Sequence, residues 1–191
     1  MKINKSIITS FVLLIVIASL YRVMPGRPMG FAPQIAMALF GGSVITDKKL
    51  SFLLPLLSMF ISDVIYQVMF VNHISNMPGF YSGQALNYAL FAAITVIGFL
   101  IKKENILSIA AGSVIGATFF YIFSNFADWI GGGLDISNQP YPKTLAGISR
   151  CYYDALPFYW NSLAATAIFG TVLFGGYYLL NKEVSKKQVL A

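Results

Sequence analysis

An all-α integral membrane protein with six transmembrane helices is the fold class that this 191-residue sequence predicts. Hydrophobic residues make up 57% of the chain and charged residues 10%, whereas soluble domains carry roughly 25% charged residues. Six apolar runs with short connections nearly use up the chain, because one spanning helix takes about 20 residues. We therefore expect a single membrane domain over residues 1–191, with no separate soluble enzyme domain.

Each apolar run is bounded by charges or turn residues. The first is followed by "YRVMPGRPMG" and not by a small-residue cleavage site, so we interpret it as a retained helix and not as a signal peptide. The second is short and contains glycines, and lysine pairs lie before the third and after the fourth. Three glycines end the fifth, and Pro157 begins the sixth. The predicted spans are residues 7–20, 31–46, 50–71, 84–101, 106–129 and 157–180.

The placement of basic residues predicts that both termini are cytoplasmic. Nine of the 13 basic residues fall on one side of a six-span chain, and basic loops are retained in the cytoplasm. These nine are Lys2, Lys5, Lys48, Lys49, Lys102, Lys103, Lys182, Lys186 and Lys187. The outer side receives Arg22, Arg27, Lys143 and Arg150. We therefore expect a multi-pass protein of the bacterial cytoplasmic (inner) membrane, whose net charge of +6 contacts anionic lipids and not nucleic acid.

Polar side chains concentrate at the outer ends of the spans, whereas the inner halves contain small residues that let helices pack closely. Asp63 is the fourteenth residue of its span, roughly 20 Å from the cytoplasmic end. Because an acid inside a membrane is costly, we favour a functional role for Asp63 over a structural one. The predicted substrate-binding residues are Asp63, Tyr66, Gln67, Asn87, Tyr121, Asn125, Asp128, Arg150 and Asn161. Gln34, Gln84 and Tyr88 share the outer position without an assigned role.

The connection before the sixth span predicts a short amphipathic helix within residues 142–156. Leu145, Ile148 and Tyr152 recur at helical spacings of three and four, opposite a charged side. We expect this helix to be either a lid over an outward-facing pocket or an interfacial helix that only covers the bundle. The predicted lid residues are Lys143, Arg150, Cys151, Tyr152 and Asp154. Because Cys151 is the single cysteine, a free thiol, a ligand contact and an intermolecular bridge all stay open.

An outward-facing polar and aromatic pocket predicts uptake of a small, partly aromatic or heterocyclic nutrient. Arg22, Arg27 and Arg150 are candidate partners for a carboxylate or phosphate on that molecule. No catalytic residue, cofactor or metal site is predicted, since His73 has no neighbouring Cys or His.

Two other functions stay open. One is an intramembrane enzyme that uses Asp63 and Asp128 as a carboxylate pair, although neither lies in a YD or GxGD context. The other is a structural membrane protein of an envelope assembly, which would have no closed cavity.

Four stretches carry a family resemblance: "RPMGFAPQIAMALFGGSV", "PLLSMFISDVIY", "FSNFADW" and "YPKTLAGISRCYYDALPFYWNSL". Together they resemble a bacterial domain-of-unknown-function family labelled as transport proteins. More distantly, the predicted architecture is similar to the S components of energy-coupling factor transporters, the substrate-binding membrane subunits for vitamin uptake. That similarity implies a vitamin-like substrate, with a coupling subunit and ATPases as partners. The AxxxA docking motif of an S component's first helix is absent here, and its nearest example joins Ala32 to Ala36 in the second span, so a transporter that works alone stays open.

Overall fold

The computed structural model describes the backbone of residues 5–189 and the side chains of residues 9–180 and 182. Within these residues the chain forms seven α-helices and no strand, which confirms the all-α fold class. The helices are α1 (Lys5–Val23), α2 (Gln34–Val44), α3 (Lys48–Val71), α4 (Gln84–Gly98), α5 (Ile106–Gly131), α6 (Leu145–Asp154) and α7 (Leu156–Val189). Of the lysines that predict orientation, Lys2 and the side chains of Lys5, Lys186 and Lys187 lie outside the described part.

Three helices of the described chain are long and apolar enough to cross a membrane, and they indicate a membrane protein. They are α3, α5 and the Leu156–Leu180 part of α7, which correspond to the third, fifth and sixth predicted spans. The apolar helices Thr9–Val23, α2 and α4 are shorter. The 11 residues of α2 rise only about 17 Å, roughly half the thickness of the hydrocarbon core of a bilayer.

α2 is shorter than the predicted span over residues 31–46 because both of its ends are fixed by neighbouring residues. Pro33 occupies the N-cap, and the residue before a proline is biased away from helical conformation. At the other end, the Asp47 side chain accepts hydrogen bonds from Lys49 N (2.9 Å) and Leu50 N (3.4 Å), which begins α3 at Lys48. The chain therefore leaves α2 after Val44.

Although it is short, α2 is the central helix of the bundle. It contacts α3, α4, α5 and α7, and eight of its residues are buried. Ile35, Ala38 and Leu39 belong to the main hydrophobic core together with Met59 and Ile94. A helix that is apolar on all sides is stable only when neighbours cover every side, so tertiary packing stabilises α2 more than its intrinsic propensity does.

Glycines allow α2 and α4 to cross closely at the end of α2 away from Gln34. A Cβ atom added to Gly42 would overlap the carbonyl oxygen of Thr95 and lie 2.9 Å from Gly98 Cα. A Cβ atom added to Gly98 would lie 2.6 Å from the carbonyl oxygen of Leu39. The backbones are therefore in direct contact, as the small residues of the sequence predict for this half of the bundle.

α6 lies between α5 and α7 in the chain and packs against both. Its buried residues are Gly147 and Cys151, whereas Leu145, at the start of the predicted apolar side, is 83% exposed. The helix begins at Thr144, whose side chain accepts a hydrogen bond from Gly147 N (3.2 Å).

Candidate functional site

A cavity of about 160 Å³ lies where the α1–α2 connection meets α2, α3, α4, α5 and α7. Ile35, Met59, Phe91 and Phe120 form its apolar walls. The side chains that can form hydrogen bonds around it belong to Arg22, Arg27, Gln34, Tyr81, Asn87 and Ser162. The described lining thus contains two arginines and no acidic residue.

Arg22 is held in place by Asp63, which is only 1% exposed. The carboxylate Oδ1 accepts a hydrogen bond from Arg22 Nη1, and the pair is also an ion pair. Its Oδ2 accepts from Gln84 Nε2 (2.6 Å) and from the Tyr88 hydroxyl (2.7 Å). Both oxygens are therefore engaged, so that this one side chain connects α1, α3 and α4.

Tyr66 and Gln67 follow Asp63 on α3 and bind backbone groups near the cavity. The Tyr66 hydroxyl donates to the carbonyl oxygen of Arg22 (2.8 Å). Gln67 Oε1 accepts from Gly79 N (3.1 Å) and Phe80 N (3.2 Å). These two residues thus fix the end of α1 and the connection between α3 and α4.

Arg27 lines the cavity and has donors without an acceptor among the described residues. Its Nε donates to the carbonyl oxygen of Arg22 (3.2 Å), and its Nη1 donates to the carbonyl oxygens of Pro28 (3.2 Å) and Phe31 (2.8 Å). A guanidinium has five N–H donors, and the two on Nη2 have no acceptor among the described residues. Arg27 takes part in neither of the two ion pairs of the described chain.

Gln34 is the first residue of α2 and is 2% exposed. Both its Nε2 and its Oε1 are buried and have no hydrogen-bond partner among the described residues. Leaving one buried polar group unpaired costs about 1–3 kcal/mol, so a bound molecule that pairs with this amide recovers part of that cost. The first N–H groups of α2 are also unsatisfied within the helix, and they place a partial positive charge beside Gln34.

Of the nine predicted substrate-binding residues, only Asn87 lines this cavity. Its Nδ2 donates to the hydroxyl of Tyr81 (2.7 Å), a second lining residue.

Asn161 lies beside the cavity and fixes its wall. Asn161 Nδ2 donates to the carbonyl oxygen of Met29 (2.8 Å), and Ser162 Oγ donates to that of Gly30 (3.0 Å). Gly30 has a positive φ of 81°, and a Cβ atom there would lie 2.5 Å from the carbonyl oxygen of Phe158. Only glycine therefore allows the α1–α2 connection to approach α7 this closely.

Tyr121 and Asn125 belong to a different set of contacts, which fastens α6 to α5. The Tyr121 hydroxyl donates to the carbonyl oxygen of Tyr152 (2.7 Å), and the Tyr152 hydroxyl donates to that of Ile122 (2.8 Å). Asn125 Nδ2 donates to the carbonyl oxygen of Tyr121 (2.7 Å), and the Cys151 thiol lies 3.5 Å from the carbonyl oxygen of Asn125.

The remaining predicted lid residues also pair locally. Lys143 Nζ donates to the carbonyl oxygens of Trp129 and Ile130. Arg150 Nε pairs with the Asp154 carboxylate at 2.8 Å. The Tyr141 hydroxyl donates to Asp154 Oδ2 (3.2 Å), and burial together with this bond raises the pKa of Tyr141 to about 12. None of these residues, and none of α6, is among those that line the cavity.

Asp128 lies near the C-terminal end of α5, with its carboxylate against Gly133. Within the described chain, no hydrogen bond joins Asp128 to Asp63. Nor is any group of three or more His, Cys, Asp or Glu side chains there placed to hold a metal ion.

The polar cavity residues that the sequence-based site lacks are Gln34, Tyr81 and Ser162, and Gln34 is the one whose amide is unpaired among the described residues. Its signal is a glutamine directly after Pro33 at the start of an apolar run, and nothing in the sequence shows that its amide stays unpaired. Arg22 and Arg27, expected as partners for an anionic group, do line the cavity.

Comparisons with known proteins address the family and not the activity. No curated protein and no solved structure matches the chain. Residues 2–189 match the model of a family described as a family of unknown function, DUF6580. That description assigns no substrate, partner or reaction. Since the match covers nearly the whole chain, this protein belongs to the DUF6580 family of unknown function.

Proposed function

We propose that this protein is a membrane protein that binds a small molecule for its uptake, with the cavity between Arg27 and Gln34 as the binding site. The observation that carries the proposal is the make-up of that cavity. Within the described part of the chain, it combines donors that lack acceptors, a buried amide that lacks partners, and aromatic walls. Ligand sites are typically apolar concavities with a few polar groups that fix orientation. A structural protein of an envelope assembly has no need of such a cavity.

The proposed topology has six spans, both termini in the cytoplasm and α6 at the outer surface of the inner membrane. The lysine pairs at positions 48–49 and 102–103 support this orientation. Under it, Arg22 at the end of α1 and Gln34 at the start of α2 both lie in the outer half. The cavity then opens outward, and the close crossing of α2 and α4 closes the inner half.

The proposed partners are the lipid bilayer and a small-molecule substrate. If the protein is a vitamin-uptake subunit that resembles an S component, it would work together with a coupling subunit and ATPases to bring its substrate into the cell. The absence of AxxxA from α1 supports the alternative in which it works alone.

Native mass spectrometry of gently purified protein tests the binding function. We expect a co-purified small molecule on the wild-type protein and its loss from Gln34→Leu, which removes both hydrogen-bonding groups of the amide. Gln139→Leu, at an exposed glutamine of the α5–α6 connection, is the matched control and should keep the molecule. Equal occupancy in all three proteins would place the molecule elsewhere. A wild-type protein that carries nothing, and that no nutrient stabilises against heating, would rule out the proposal.

A further inference from the structure

We infer that the ligand is a small organic anion with one ring, bearing a carboxylate for Arg27 and a hydrogen-bond donor for Gln34. This inference rests on the proposed function, because it names the substrate class of the same cavity.

The sign of the charge follows from the two arginines. The charge of Arg22 is balanced by Asp63, whose oxygens are already engaged by Arg22, Gln84 and Tyr88. Arg27 has no such partner in the described chain, and its Nη2 group has two N–H donors without an acceptor among the described residues. The N-terminus of α2 adds partial positive charge on the same side. An anion is therefore the ligand that completes the electrostatics of the cavity, and a carboxylate, which accepts hydrogen bonds at both of its oxygens, can take one from Nη2 of Arg27.

The size and shape follow from the volume and the walls. The cavity measures about 160 Å³, close to the roughly 150 Å³ that accommodates one benzene ring. The Phe91 and Phe120 rings pack against each other in the wall, with centroids 5.0 Å apart and planes tilted by 36°. Aromatic walls of this kind favour a single aromatic or heteroaromatic ring, which can pack against them in a stacked or edge-to-face arrangement.

Gln34 adds the requirement for a donor. Its Nε2 group can bond to the carboxylate or to another acceptor, but its Oε1 accepts only from an O–H or N–H group. A ring acid without a donor leaves that oxygen unpaired, so a hydroxyl, amino or ring N–H group should tighten binding.

Calorimetry with the full-length protein in nanodiscs tests the inference with matched compounds. The acids are 4-aminobenzoate, 4-hydroxybenzoate and pyrrole-2-carboxylate, each paired with its neutral carboxamide. Benzoate is a ring acid without a hydrogen-bond donor and therefore tests whether the donor on the ligand is needed. Phenyl phosphate and inorganic phosphate test whether the anionic group is a carboxylate or a phosphate. We expect at least one acid to bind tenfold or more tightly than its amide, than benzoate and than both phosphates.

Variants of Arg27 and Gln34 test which residue causes the preference for the acid. Arg27→Gln should weaken binding of the acid at least tenfold and leave binding of the amide unchanged. Lys49→Gln, at an exposed lysine, should change the affinity for neither compound. Gln34→Leu should remove the preference over benzoate. The acid-to-amide ratio of the wild-type protein needs no variant, so the inference stays falsifiable if Arg27→Gln does not fold.

Failure of the inferred ligand class can be distinguished from failure of the proposed binding function. Amides that bind as tightly as their acids would overturn the anionic class and leave the proposed function intact. Tighter binding of phenyl phosphate would overturn the carboxylate and indicate that the anionic group of the ligand is a phosphate. If no ring compound binds although mass spectrometry finds a co-purified molecule, the substrate class is wrong but the binding function stands. If neither binding nor a co-purified molecule is seen, both fail.

Discussion

Asp63 shows how one residue can determine the geometry of a site that it does not line. Its carboxylate accepts from Arg22, Gln84 and Tyr88, which lie on two other helices. An unpaired acid in an apolar helix is costly, so the sequence predicts that this residue has a partner. Arg22 is among the outer arginines that the sequence offers, but Gln84 and Tyr88 are not identifiable as partners without the packing of α3 against α4.

Asp63→Asn tests whether this carboxylate serves the fold or the ligand. The substitution keeps the shape but leaves the partly buried Arg22 without a counter-charge, and we expect the free energy of unfolding to fall by about 1–3 kcal/mol. Thermal unfolding and ligand affinity should be measured on the same preparation, with Asp154→Asn as a control that changes the melting temperature less. An unchanged melting temperature with weakened binding would instead assign Asp63 a direct contact with the ligand.

Gln34 marks the limit of prediction at this scale. Polarity and position identify it as an outer residue, as they do for Tyr66 and Asn161. The structure separates these residues by their partners, since Tyr66 and Asn161 bind backbone carbonyls and the Gln34 amide binds nothing described. Partners that lie far apart in the sequence depend on how the helices pack, which composition does not specify.

At the scale of elements, the positions of the helices and most of their bounds were predictable, but the ends of α2 and α4 were not. Apolar periodicity predicts each helix that approaches spanning length, and α5 begins at the predicted Ile106. α2 and α4 end earlier than the apolar runs suggest. The runs continue into Ile45 and Phe99, which are apolar but lie outside the helices. Hydropathy reports apolar composition, and it does not distinguish a helix from an apolar connection.

Gly42→Ala tests the close crossing of α2 and α4. The added methyl group would meet the backbone of Thr95, which cannot move aside as a flexible side chain would. We expect the free energy of unfolding to fall by about 1–3 kcal/mol, measured as a lower melting temperature in detergent. Gly170→Ala is the control, because the nearest atom there, Ser113 Oγ, is 3.8 Å from the new methyl group. Equal melting temperatures for the two variants would contradict the crossing.

The Cys151 thiol reports on the movement of α6. Burial raises the pKa of this thiol, so a larger fraction stays protonated at a given pH than in the unfolded chain. Alkylation of the folded protein should therefore be slow at neutral pH and reach half its maximal rate at a higher pH than in denaturant. If α6 is a lid, saturating ligand should slow the reaction further. Identical rates with and without ligand would make α6 a passive cover.

At the scale of the whole molecule, cysteine labelling tests the orientation of the helix bundle in the membrane. Single cysteines at positions 48 and 103, in a Cys151→Ser background, should resist a membrane-impermeant thiol reagent in intact cells and react after permeabilisation. A cysteine at position 77, replacing the half-exposed Met77 of the α3–α4 connection, should react in intact cells. Labelling at 48 or 103 without permeabilisation would overturn the model of six spans with cytoplasmic termini.

The α3–α4 connection has a consequence for the thermodynamics of binding. It supplies Tyr81 to the cavity, and Gln67 and Gln84 hold it by hydrogen bonds to Gly79 and Phe80. The conformational entropy of this segment is therefore lost when the chain folds and not when a ligand arrives. Because the α3–α4 connection is already ordered, the entropy cost of binding comes mainly from the rotational and translational freedom that the ligand itself loses. Even a molecule with few atoms can therefore bind measurably.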